Sequence, residues 1–173
     1  MRRMRIPQRK PKPGFYAPFA AFEKQKPVSA SFAAEVREKL ETVQTRIFMG
    51  TGDDFDFSLI GTYLLYGFIL AKNFEEVTEE EFRDAIVKLW TVKADLANGR
   101  DVDRGVLSEA SREASIATEM VLKLTVGEQQ KLREHVRRCG KTMLDTIQRD
   151  ARESYLAEIA SQKNVRPEEL NVR

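Results

Sequence analysis

Five of the chain's six prolines, Pro7, Pro11, Pro13, Pro18 and Pro27, lie in its first 27 residues. Proline removes a backbone donor and breaks helix interiors, so this stretch is set apart from the rest of the chain. Charge makes the same division. Arg2, Arg3, Arg5, Arg9, Lys10, Lys12, Lys24 and Lys26 face the single acid Glu23 there, a net of +7, while the whole 173-residue chain carries +2. Residues 28–130 hold 11 basic and 19 acidic side chains; residues 131–173 hold 10 and 7. The sequence therefore predicts an extended, basic, proline-rich N-terminal arm over residues 1–27. Next comes an all-α bundle of about five main helices over 28–163, then a short C-terminal turn and tail over 164–173.

Hydrophobic content of 42% and charged content of 32% suit a globular chain rather than a disordered one. One cysteine, Cys139, excludes an intramolecular disulfide framework and suits a reducing compartment, with cytoplasm the default. The basic N-terminus lacks the apolar run of a signal peptide, and its prolines oppose the amphipathic helix of a mitochondrial presequence. The longest uncharged run, Phe57 to Ala71, is fifteen residues. A bilayer span needs about 20. The run reads as a buried central helix, and no membrane partner is expected.

The first helix is expected from Ser29 or Ser31 to near Met49, with Phe32, Val36, Leu40, Val43 and Ile47 on one stripe. The second runs from about Asp54 to Lys72, capped by Asp53 or Asp54. Gly61 and Gly67 weaken it, and a pair of buried strands is the competing assignment. The third opens on the Thr78–Glu81 capping box, buries Phe82, Ala85, Ile86, Leu89 and Leu96, and stops at Asn98-Gly99. The fourth spans Ser108 to Leu124. Its seam of Leu107, Ala110, Ala114, Ala117, Val121 and Leu124 has heptad spacing and packs inside the chain or, alternatively, makes a homodimer. The fifth opens on Thr125 and Glu128 and runs to about Lys163, burying Leu132, Val136, Cys139, Met143, Ile147 and Ala151, with a kink at Gly140.

Catalytic chemistry finds little support. His135 and Cys139 stand four apart on a helix, the spacing at which an imidazole can activate a thiol. The apolar stripe makes Cys139 an ordinary buried thiol instead. Asp53, Asp54 and Asp56 are the residue types of a magnesium site, yet helix capping accounts for them. Asp101 to Gly105 starts like a calcium loop, but Arg112 stands where the closing glutamate belongs. No catalytic residue, metal ligand or cofactor is assigned, and the chain is not expected to be an enzyme.

Binding chemistry is better represented. Arg2, Arg3, Arg5, Arg9, Lys10 and Lys12 can neutralise phosphates. Phe15, Tyr16, Phe19 and Phe22 are partner-binding candidates, able to stack on bases or to pack into a groove. Arg133, Arg137 and Lys141 share one face of the last helix with Arg138 nearby, and Arg149 and Arg152 lie farther along. Glu134, Asp145 and Asp150 interrupt them, so a solvated face is the plainer account. The end of the chain resembles part of a helix-turn-helix in Ile159-Ala160, Asn164-Val165 and Leu170, with Lys163 at a usually apolar position and Pro167 opening the second helix. A polar helix end with a proline-initiated turn explains the same residues.

These features predict a non-enzymatic helical binding protein whose arm docks onto nucleic acid or a nucleoprotein complex in a regulatory or assembly role. The alternative is a protein–protein adaptor, inhibitor or structural subunit that inserts its proline and aromatic arm into a partner protein.

Overall fold

The computed structural model describes residues 27–73, 77–163 and 166, and these are helical with no β-strand among them. Helix α1 is Ala30–Phe48. The Ser29 hydroxyl accepts a hydrogen bond from the Phe32 amide at 3.2 Å, a cap worth about 1 kcal/mol. Gly50, at φ 77°, turns the chain out of α1 through a backbone region that side chains rarely enter.

Helix α2, Asp54–Leu70, continues into one tighter turn at Ala71–Asn73. Asp53 and Asp56 cap it reciprocally, each carboxylate accepting from the other's amide, at 2.9 and 3.2 Å. This helix takes the place of the alternative strand pair. It packs against α1 and against two later helices, α3 (Glu79–Ala97) and α4 (Arg104–Leu122). Ile60, Leu64, Leu65 and Leu70 are buried in the main core, which explains why so much of α2 is apolar. Each such side chain contributes about 1.5–3 kcal/mol when fully buried. No helix among the described residues is long and apolar enough to cross a membrane.

Helix α3 begins at the expected box, with the Glu81 amide donating to Thr78 Oγ1 and the Thr78 amide to Glu81 Oε2. Leu96, expected in its buried face, is exposed. It lies in the last turn, beyond the cluster of Trp90, Ala94, Tyr155 and Ile159 that joins α3 to the last helix. Helix α4 starts four residues before the expected Ser108. The Asp103 carboxylate accepts from the amides of Gly105 and Val106 and nucleates the helix inside what reads as a polar loop.

The last helix is continuous but has three parts: α5 (Val126–His135), a π-helical turn at Val136–Gly140, and α6 (Lys141–Lys163). A π turn holds more residues than an α turn, so it shifts the buried face by about one position. Gly140 is buried against α2, and Cys139, expected in the apolar stripe, is exposed. The thiol is therefore displaced from the core by register. Farther along, the Tyr155 hydroxyl donates to Asp95 Oδ1 at 2.5 Å, and its ring meets Trp90 edge-on at 5.6 Å. Burial, then the Asp95 hydrogen bond, pushes the Tyr155 phenol up to about 12.

Candidate functional site

The arm cations Arg2, Arg3, Arg5, Arg9, Lys10 and Lys12, and the aromatics Phe15, Tyr16, Phe19 and Phe22, lie outside the described residues, as do most of residues 164–173. The structure does place the point from which the arm departs. Pro27 forms an isolated antiparallel backbone bridge with Thr125, the residue that caps α5. The arm therefore joins the body beside the start of the helix that carries the other predicted cations.

Helix α5 is held by its buried side. Leu132 is in the main core, and the buried Gln129 amide donates to the Val121 carbonyl at 2.9 Å. Thr125 and Glu128 close a reciprocal cap. With that face fixed, Arg133 points to the surface, and Arg137 and Arg138 on the π turn and Lys141 at the start of α6 are exposed as well. None of the four makes an ion pair with a described residue. Glu134 pairs with Lys131 at 3.2 Å, and Asp150 pairs with Arg83 at 3.0 Å and with its neighbour Arg149 at 3.9 Å, so neither acid is engaged with the four exposed cations.

Arg133 also borders a cleft of about 90 Å³ whose walls include Phe32, Val36, Leu59, Tyr63, Tyr66 and Leu132. The two tyrosine rings meet edge to face, with centroids 5.6 Å apart. Burial pushes both phenols above their ordinary range, and the positive charge of Arg133 partly offsets it. Tyr63 and Tyr66 escaped the sequence-based site assignment because they sit in the apolar run and read as core. The available signal was two phenol hydroxyls, three residues apart, in a stretch without charged side chains.

The remaining sequence candidates have structural occupations. Asp56 is buried and accepts two hydrogen bonds from Arg46, at 3.0 and 2.5 Å. Asp53 caps α2, and Asp54 pairs with Lys93 at 3.3 Å. The three do not converge, and no group of three or more potential metal ligands occurs among the described residues. No hydrogen bond joins His135 to Cys139 there.

These features define an all-α bundle with a cationic helix edge beside an aromatic cleft. No family model, curated protein or solved structure matches the chain.

Proposed function

We propose that this chain is a non-enzymatic nucleic-acid-binding protein acting in a regulatory or assembly role. In this reading the basic arm and the α5–π–α6 edge both supply cations to the same nucleic acid. The observation that carries this reading is the set Arg133, Arg137, Arg138 and Lys141: exposed, without ion pairs among the described residues, and on the helix whose cap touches the root of the arm. From Thr125 to Arg133 the helix rises about 12 Å, so the arm root and the first cation are near neighbours. Cations that neutralise phosphates release counterions, and the affinity they confer falls as salt rises.

The test is fluorescence anisotropy with labelled nucleic acid over a salt series. Glutamine at Arg2, Arg3, Arg5, Arg9, Lys10 and Lys12, or at the four helix positions, should flatten the dependence of log affinity on log salt. The slope should fall by about 0.7–0.9 for each phosphate no longer neutralised. An absence of binding at low salt rejects the reading.

One observation favours a protein partner instead. Phe48, Met49 and Phe55 are exposed together around the α1–α2 turn, with Arg104 over Phe48 and Lys39 over Phe55. In that case the chain is an adaptor, inhibitor or structural subunit. Partner capture should then fail on polar substitution of Phe48, Met49 and Phe55 and be insensitive to nuclease.

A further inference from the structure

The cleft beside Arg133 has donors without acceptors. A half-buried tyrosine normally finds a partner for its hydroxyl. Tyr63 and Tyr66 are both half-buried, yet neither hydroxyl makes a hydrogen bond among the described residues. A tyrosine phenol is protonated at neutral pH, so both hydroxyls are donors. Arg133 adds a guanidinium that makes no ion pair with a described residue, a planar fork suited to phosphate. The same cleft is lined by Val36, Leu59 and the exposed ring of Phe32. Polar donors beside an exposed aromatic ring fit a ligand that is anionic at one end and flat at the other.

We propose that this cleft seats an unpaired nucleotide of a single strand, with its phosphate on Arg133 and the two tyrosine hydroxyls and its base against the aromatic wall. The inference rests on the nucleic-acid reading above and narrows it from any nucleic acid to single strands. Charge decides among occupants. The chain's own arm offers one carboxylate, Glu23, against eight cations, and its aromatic stretch over residues 13–22 is uncharged, so it brings no phosphate-like group to Arg133 and the two hydroxyls. An acidic peptide would satisfy the charge but offers no flat face to the wall. A duplex keeps its bases stacked within the helix, out of reach of a recessed cleft. From Arg133 to Arg137 the helix rises about 6 Å. Arg137, Arg138 and Lys141 therefore continue the track for the next phosphates of the strand, while stacking supplies the sequence-tolerant grip of single-strand binders.

The experiment compares a labelled oligothymidylate with a duplex of equal length, both bound by the full chain at low salt. The proteins are wild type and a double variant, Tyr63→Phe with Tyr66→Phe, which leaves every cation of the track in place. The phenylalanines keep the rings and their packing, and duplex affinity reports that the variant is folded. Single-strand affinity should fall at least tenfold and duplex affinity less than twofold. Equal losses, or no loss for the single strand, overturn the cleft assignment while arm-dependent duplex binding still supports the wider reading. No binding of either nucleic acid overturns both. Competition by polyglutamate as effective as by unlabelled oligothymidylate at equal charge would make the occupant an acidic peptide and reject the nucleotide.

Discussion

A β-carbon built at Gly67 would lie 2.5 Å from Cε1 of Phe82 and 2.9 Å from Cβ of Ala117, whereas at Gly61 the nearest atom is Leu89 Cδ2 at 3.8 Å. Both glycines cost α2 about 1 kcal/mol of intrinsic propensity relative to alanine. Only Gly67 has a reason to be retained, because the Phe82 ring is fully buried and has nowhere to move. Overpacking costs about 1–3 kcal/mol. Gly67→Ala should therefore destabilise, and Gly61→Ala should stabilise by up to about 1 kcal/mol. Urea-unfolding midpoints that moved in the same direction for both would contradict this packing of α2. Asp56 carries a separate prediction. The hydrogen bonds from Arg46, first among the causes, hold its carboxyl below its ordinary 3.8. The folded state then binds fewer protons at this group than the unfolded state does. Its stabilisation is complete above the ordinary value and is lost as pH falls through the lowered one. Asp56→Asn should lower the thermal midpoint at neutral pH, with the gap to wild type closing as the solution is acidified. A gap independent of pH would assign Asp56 no part in acid unfolding.

At the scale of elements, the π turn decides which residues of the last helix meet the core. Gly140 allows the close approach: a β-carbon there would lie 3.1 Å from Leu65 Cδ2 on α2. The exposed Cys139 should accordingly react with a thiol reagent in the folded protein at a rate comparable with the unfolded chain. Strong protection in the native state would restore the buried position that α-helical spacing assigns to it. This turn also marks where the sequence stops being legible. Caps are local chemistry, one side chain and an amide three residues away, so Ser29, Asp53, Thr78 and Thr125 announced four helix starts. Asp103 was missed because its cap lies within a run that also reads as turn. The π turn has no local signature; its register is chosen by contact with α2, a partner distant in sequence. The candidate site divides the same way. The four helix cations were readable from their spacing, but the cleft was not, because only tertiary packing turns two tyrosines of an apolar run toward Arg133.

For the molecule as a whole, the question left by the sequence is whether the small-residue seam of α4 joins helices within one chain or between two. Leu107, Ala110, Ala114, Ala117, Val121 and Leu124 are all buried in the main core, among residues from α1, α2 and α3. Ala117 and Gly67 show why the seam is built small: α4 and α2 approach until even one added methyl at Gly67 would crowd Ala117. Helix α2 thus lies where the second copy of a dimeric seam would have to pack. Ala117→Leu should then disturb the α2–α4 contact inside each molecule, costing about 1–3 kcal/mol. Unfolding by an intramolecular route makes that loss independent of protein concentration. A seam shared between subunits would instead make stability rise with concentration, since assembly contributes by mass action. Urea midpoints for wild type and Ala117→Leu over a hundredfold range of protein concentration separate the two. Parallel, concentration-independent curves are expected, and a variant whose deficit shrank as the protein was concentrated would return the seam to a dimer.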